Sequence, residues 1–434
     1  MPPPRSPLPP AWCPRLATTL LLLAAGVGLS GCSLLPGLRS FRHQTLHIYV
    51  VPSANEGMAN GPEAHLELAA PAVAAYRRLH PQVSFRMKVV QEAALEQELR
   101  GHRLRGLGPD LLLVRAPVAI SLARKGLIDP LGPALRSSDG VASVRPQELS
   151  RVSDAGQLVG LPVAEEVSLA CFDRRKVPSP PVTIGALLSL AASGRNVGVA
   201  VDPIGIWWTA GSLGAAETMS LLITDRPLPP GRDQAEDQRR VADWLRWLRQ
   251  AALQSRVDIA SGADDLLEGL LQGRLSWVPC YSLNLLTLQQ QMGPRLGVAP
   301  LPNGPAGLAS PYSSLRVWAF GTDSSRIQRR LAEDLALFTL SPKQQRELTL
   351  SSQSVLPVNR FVMVPVAESG RLAAMAAAQA QFRSVAGLMS APFSADRVRV
   401  LLPPIEQLIY GVMVGVITPE DGARQILALR RMPR

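Results

Sequence analysis

Two hydrophobic periods alternate along the chain. Thr45–Val51 (TLHIYVV) is rich in β-branched and aromatic residues and predicts a first strand; Val83–Val90 predicts a second and the apolar Asp110–Val114 a third. Between them, Glu67–His80 carries Leu68, Val73, Tyr76 and Leu79 roughly on one helical face, with Pro71 early enough for the first turn. Gly57–Gly61 is turn-rich, and Glu92–Gly101 predicts a second helix. Strand, helix, strand, helix, strand in that order predicts an α/β fold with a parallel sheet covered on both faces.

Later segments repeat the alternation. Ser325–Leu340 is strongly amphipathic, with Ile327, Leu331, Leu335 and Phe338 at helical spacing. Gln238–Ala252 is a second amphipathic helix, and its Trp244 and Trp247 are expected to pack in a core, as is Trp318 inside an apolar strand. Thr183 should cap a helix over Ile184–Ala192, and Thr418-Pro419-Glu420-Asp421 has the hydroxyl, proline and acids of a helix start.

One stretch breaks the apolar pattern. Gly160–Arg174 reads as a single long strand, yet Glu165 and Glu166 sit side by side in its middle. An unpaired carboxylate is costly to bury, so each needs a partner or a cleft. Strand alternation sends the two to opposite faces.

The chain has 434 residues, enough for two domains with well-filled cores. Its start reads differently from the rest. Arg5 and Arg15 precede an uncharged, largely apolar run at Leu16–Leu29 that is too short to span a bilayer, which takes about 20 residues. Leu29-Ser30-Gly31-Cys32 follows and resembles the lipobox of bacterial lipoproteins. That resemblance implies a signal peptide over 1–31, lipid on the Cys32 thiol, and a short linker over 32–44 leading from the membrane surface. Losing residues 1–31 takes away two arginines and lowers the formal charge from +11 to +9. Arginines are scattered and no basic run is interleaved with aromatics, so nucleic acid is not an expected partner. Cys171 and Cys280 each lie in an apolar run. An oxidising compartment would let them pair, but buried free thiols are the commoner outcome.

Catalytic signatures are sparse. There is no G-x-S-x-G elbow, no P-loop, and no HExxH or CxxC spacing for a metal. All five histidines lie at or before His102. Glu166 with Asp202 could imitate a glycosidase carboxylate pair, but the resemblance carried by the motif series along residues 45–434 points to binding instead. Neither an enzyme nor a cofactor is expected.

Several motifs recur in one order. Pro109-Asp110 opens an apolar strand, Ala119–Lys125 forms a short helix, and Gly126–Leu131 closes it, with Gly126 as a left-handed stop. Pro178–Gly194, Gly273–Pro302 (GRLSWVPCYSLN…GVAPLP), Ser341–Arg346 and Val355–Asn359 follow. Across residues 45–434 this series resembles the extracellular solute-binding proteins of bacterial ABC importers, the maltose-binding type.

The resemblance implies a two-lobed periplasmic binding protein fold, each lobe a mainly parallel sheet flanked by helices, with the ligand cleft between the lobes. Residues 45–164 plus 313–365 would form one lobe and 166–312 plus 366–434 the other, so Gly160–Arg174 would be the first crossing. A solute would be held by hinge closure. By position, the resemblance assigns Glu166, Asp202, Trp207, Trp208, Tyr281 and Tyr312 to the ligand, core packing being the alternative for each aromatic. Two consecutive tryptophans on a regular element should not share one core, which places at least one in the open or in a cleft. The maltodextrin-holding positions after the Pro-Asp pair are matched here by Val114, Pro117 and Val118, and a stacking tryptophan by Leu402. A sugar or polyol other than maltodextrin is therefore the expected solute. The expected partners are importer permease subunits and a membrane reached through the lipid. The protein would act as an extracytoplasmic monomer. A lipoprotein of the same fold without a transport role, as sensor partner or structural surface protein, is the alternative.

Overall fold

A computed structural model describes residues 44–52, 66, 68–104, 106–223, 230–260, 262–386 and 395–431. The signal peptide, Cys32 and Gly57–Gly61 lie outside the described residues. Among the described residues the principal sheet has ten strands, the longer ones being β1 (Gln44–Val50), β2 (Val83–Val89), β3 (Leu111–Arg115), β4 (Leu161–Asp173), β5 (Val197–Ala200), β6 (Val257–Ala260), β7 (Trp277–Tyr281), β8 (Leu296–Ala299) and β9 (Ser313–Gly321). They run in the order β2-β1-β3-β9-β4-β7-β5-β6, with β8 also on β4 and the two-residue strand Ile128–Asp129 on β9. The pairs β1/β3, β5/β7 and β5/β6 are parallel, as an α/β sequence order requires. The long strands β4 and β9 are antiparallel to each other and to their neighbours β7 and β3. Those two strands stitch the parallel halves together.

Local sequence explains the helix ends. Thr183 Oγ1 accepts the Ala186 N–H at 3.1 Å and starts the helix Ile184–Ala192. Ser325 and Gln328 form a reciprocal capping box before Arg326–Leu340. That helix buries Leu335, half-buries Leu331 and Phe338, and leaves first-turn Ile327 exposed. Thr418 accepts the Asp421 N–H at 3.1 Å. Gly126 has φ +64° and ends the helix Ala116–Arg124, as expected for a left-handed stop.

The apolar interior falls into three clusters. One draws on residues between Leu46 and Ala164 and between Leu315 and Val358. A second spans Ala170 to Ala309 together with Leu401 to Ile426 and holds Trp244, Trp247 and Trp277. A third gathers around Cys171, Cys280, Leu285 and Met375. Trp318 is buried in the first cluster, so the three tryptophans expected in cores are there.

Free thiols are not what the fold forms. Cys171 and Cys280 are joined as a disulfide, with Cα atoms 5.8 Å apart. Val278 lies opposite Cys171 and Cys280 opposite Leu169, so the cysteines are diagonal neighbours on one face of the β4/β7 ladder. Register brings them within bridging distance, which neither residue's burial could reveal. The bridge closes a loop with a sequence separation of 109 and on chain-entropy grounds is worth about 5 kcal/mol.

β4 is buried along all 13 residues. Its end is fixed by Asp173, whose carboxylate accepts the Arg175 backbone N–H at 3.0 Å, the Arg175 guanidinium at 3.1 Å and Arg295 Nη2 at 2.8 Å. Burial works to raise this carboxyl's pKa, but the hydrogen bonds from Arg175 and Arg295 outweigh it and bring the value from 3.8 to about 2. A depressed acid contributes stability above its unfolded pKa and loses it as pH falls through the folded value. Asp173→Asn should therefore lower the melting temperature at neutral pH. The gap to the unaltered protein should close as pH drops from about 5 to about 2 in a pH series of thermal melts.

Candidate ligand-binding site

In an antiparallel ladder, residues directly opposite one another project from the same face. Ser314 lies opposite Glu166, Leu315 opposite Glu165, and Arg316 opposite Ala164. Arg316 is in turn opposite Arg115 on β3, and Tyr281 on β7 is opposite Ser168. Tyr312, just before β9, accepts the Ser168 N–H at 2.9 Å. Register thus gathers Arg115, Glu166, Ser168, Tyr281, Tyr312, Ser314 and Arg316 on one face. Glu165, Val167, Ser313 and Leu315 go to the other. The two glutamates part company as strand alternation predicts.

The Glu165 face is closed. Glu165 is fully buried, and its Oε1 accepts Ser313 Oγ at 2.7 Å and Arg151 Nη1 at 3.2 Å. Gln379 on the helix Gly370–Ala386 donates to its Oε2. Arg151 also donates to the Ser313 carbonyl at 2.8 Å and covers the Phe382 ring at 4.7 Å. Arg383 Nη2 donates to Glu148 at 3.0 Å and approaches Glu165 at 3.9 Å. Burial raises the Glu148 carboxyl's pKa, the neighbouring Glu165 charge adds to this, and Arg145 and Arg383 oppose it. Both oxygens of Glu165 are engaged, so this cluster holds strands to helix, while Glu148 Oε2 and Arg383 Nε at its edge are buried without a hydrogen-bond partner among the described residues.

The Glu166 face is different. Arg316 is 1% exposed; its Nη2 donates to the Val51 carbonyl at 2.7 Å, and its Nε lies 3.5 Å from Glu166 Oε1. Arg115 donates to both Glu92 oxygens, at 2.8 and 2.7 Å, and to the Tyr312 hydroxyl at 3.4 Å. Burial works against the Arg115 charge, yet Tyr312 and Glu92 hold its pKa above the ordinary value. The Tyr281 and Tyr312 rings meet edge to face at 6.4 Å. Burial, and after it the charges of Asp202 and Tyr312, push the Tyr281 hydroxyl's pKa well up, against Arg115. Asp202 Oδ2 accepts the Gly205 N–H at 2.7 Å. Among the described residues, the hydroxyls of Ser168, Ser314 and Tyr281 are buried and have no hydrogen-bond partner.

The fold therefore brings Glu166, Asp202, Tyr281 and Tyr312 together. It does not bring the tryptophans with them as exposed rings. Trp207 and Trp208 are 5% and 2% exposed, both in the second apolar cluster, so the expectation that one would be exposed or in a cleft fails. The short helix Trp208–Ser212 is buried all round. Trp208 meets Trp277 edge to face at 6.1 Å, and Trp244 donates to Thr209 Oγ1 at 2.7 Å. The opposite side is covered by residues 308–310: a Cβ on Gly211 would stand 2.6 Å from the Ser310 nitrogen. A helix enclosed on both sides has no outward face for either indole.

Ser168, Ser314, Arg115 and Arg316 escape a motif-based reading. The signal for the serines was period two: each lies on the Glu166 face of a strand already singled out. For Arg115 it was a lone charge ending the apolar run LLLVR. Val114, the position aligned with maltodextrin binding, lies opposite Val317 on the other face and is fully buried.

No family model and no curated protein sequence matches the chain. Solved structures do. The GacH receptor of Streptomyces glaucescens, studied unliganded and with acarbose, superposes with TM-score 0.68 at 16% identity over 89% of this chain and 97% of its own. The maltotriose binding protein of Thermus thermophilus gives 0.67 at 14% identity, covering 89% and 98%. An ABC transporter solute binding protein from Thermotoga lettingae, bound to α-D-tagatose, gives 0.64 at 16%, covering 89% and 100%. The chain has the two-lobed α/β fold of periplasmic binding proteins. The long antiparallel strands β4 and β9 lie side by side between the parallel halves of the sheet. At this level of identity the likeness carries the fold and leaves the ligand to the residues.

The two faces make separable demands. Glu165→Ala leaves Arg151, Ser313 and Gln379 without their acceptor and should cost about 3–5 kcal/mol, read as a fall in the urea midpoint. Glu166→Gln keeps shape and a hydrogen-bond acceptor but takes the facing charge from buried Arg316, so it should also lower the midpoint. The fall should be smaller than for Glu165→Ala, because no cavity forms and one ion pair, not a three-partner cluster, is lost.

Proposed function

We propose that the protein is the solute-binding component of an ABC importer, tethered through lipid on Cys32 and delivering a captured sugar or polyol to membrane permease subunits. The observation that carries the reading is the polar floor at β4 and β9, where Glu166, Tyr281 and Tyr312 come together on one face of a binding-protein fold. Residues 45–164 with 313–365 form one lobe and 166–312 with 366–434 the other. The separate apolar clusters support that division. Hinge closure about β4 and β9 encloses the solute.

The Cys171–Cys280 disulfide supports an extracytoplasmic, oxidising location. Acarbose, maltotriose and tagatose are held by proteins of the same fold, which supports a carbohydrate-like solute here. Maltodextrin itself is disfavoured, because Trp207 and Trp208 are packed in a core and Val114 faces away from the floor. The floor binds and does not catalyse: Glu166 sits against Arg316, and Asp202 caps the turn at Gly205. The protein works as a monomer without a cofactor.

One observation favours a second reading, a lipoprotein of this fold that carries no solute and serves as sensor partner or structural surface protein. The charged side chains of the floor already engage one another. Thermal melting against sugars, polyols, polyamines and phosphodiesters separates the two readings, because a ligand that binds only the folded state raises the melting temperature. A rise with a sugar or polyol is expected, and no rise with any compound would favour the second reading. For the compound that binds, Glu166→Gln should weaken affinity several-fold by titration calorimetry. Unchanged affinity would make Glu166 a hinge residue alone.

A further inference from the structure

We infer that Ser168 and Ser314, with Tyr281, are the specificity-determining contacts of this site, and that they select a small uncharged, polyhydroxylated solute over a charged one. The inference rests on the solute-binding reading and sharpens its ligand class. Two kinds of polar group line the floor. The guanidiniums each face a carboxylate: Arg115 forms a two-oxygen hydrogen-bonded pair with Glu92, and Arg316 Nε stands 3.5 Å from Glu166 Oε1 as an ion pair with no hydrogen bond between those two atoms. Asp202 is occupied by the Gly205 N–H at 2.7 Å. A charged solute would have to break one of these arrangements or enter without a counter-charge, and burying an unpaired charge is among the costliest steps in recognition.

The hydroxyls are not matched. Ser168 Oγ, Ser314 Oγ and Tyr281 OH are each buried without a hydrogen-bond partner among the described residues. Each can donate and accept, and each loses by remaining unpaired. They are also adjacent. Tyr281 is directly opposite Ser168, while Ser314 is opposite Glu166, two residues along the same strand. Ser168 and Ser314 are thus diagonal neighbours, about 7–8 Å apart at Cα, a span that one ring-sized solute bridges. A solute bearing several hydroxyls satisfies all three at once. An analogue lacking one hydroxyl leaves a buried partner unpaired, which is how such sites discriminate most strongly.

The test uses the full-length protein and calorimetric titration with D-glucose, D-tagatose and D-sorbitol, set against D-glucuronate, glucose 6-phosphate and spermidine. An uncharged compound should bind best. Ser168→Ala and Ser314→Ala should each weaken it by about 3- to 10-fold while leaving the ligand-free melting temperature unchanged or slightly higher. Deoxy analogues of the bound compound, titrated into the unaltered protein, give a second reading that needs no substitution and should lose affinity to the same extent. Tighter binding of a charged compound overturns the inference and leaves the solute-binding reading standing. So does an uncharged ligand indifferent to both alanines and to deoxygenation. Binding of none of the six overturns the inference together with the carbohydrate reading on which it rests.

Discussion

Two neighbouring carboxylates on a fully buried strand set the terms for the centre of this molecule. Glu165 is fully buried and Glu166 is 6% exposed, and a carboxylate taken out of water must be repaid by charge and hydrogen bonds. Because successive residues on a strand point to opposite faces, the repayment is made twice, by two separate sets of groups. On one side Arg151, Ser313 and Gln379 converge on Glu165 from three different segments. On the other, Arg316 from the adjacent strand β9 stands beside Glu166. A one-residue slip of β9 against β4 would pair each carboxylate with the wrong face, so the two clusters also fix the register.

This constraint reaches outward through the sheet. Arg316 donates to the Val51 carbonyl at the end of β1, and Arg115, opposite Arg316, is held by Glu92. Gln345, itself fully buried, donates to the carbonyls of Val163 and Thr339 and accepts from Val358, fastening the returning segment 355–359 against β4. The disulfide ties β7 to β4 immediately beside Tyr281, on the face away from the floor. The position of Tyr281 is therefore set by a covalent bond beneath it and not by contacts of the ring alone.

What could be read from the residues follows the range of the interactions involved. Caps and stops are local, so Thr183, Ser325, Thr418 and Gly126 were legible as written. The opposed glutamates were legible too, since alternation along one strand is local geometry. Partners brought by other strands were not. Nothing near Ser168 in the chain announces Tyr281 or Tyr312 across the ladder, and nothing near Cys171 announces Cys280. The tryptophan pair shows the converse error. The rule that adjacent residues on a regular element cannot share a core assumes one buried face, and it fails where Leu308–Ser310 and Trp277 enclose the helix from both sides.

The contrast between the two faces bears on how one strand pair can both hold the halves of the sheet together and receive a ligand. A carboxylate whose two oxygens are both engaged by several segments resists rearrangement, because moving any partner exposes a buried charge. That is the situation around Glu165, where strand, turn and helix are bound to one carboxylate. On the Glu166 face Arg115 is paired with Glu92 and Arg316 stands 3.5 Å from Glu166, while the hydroxyls of Ser168, Ser314 and Tyr281 have no hydrogen-bond partner among the described residues, so new hydrogen bonds can form there without dismantling an ion pair. Under the proposed function this division separates the two requirements by strand face. Stiffness is built on the side of odd-numbered β4 residues, recognition on the side of even-numbered ones. The energetic asymmetry between unpaired hydroxyls and unpaired charges makes the second side selective for uncharged solutes.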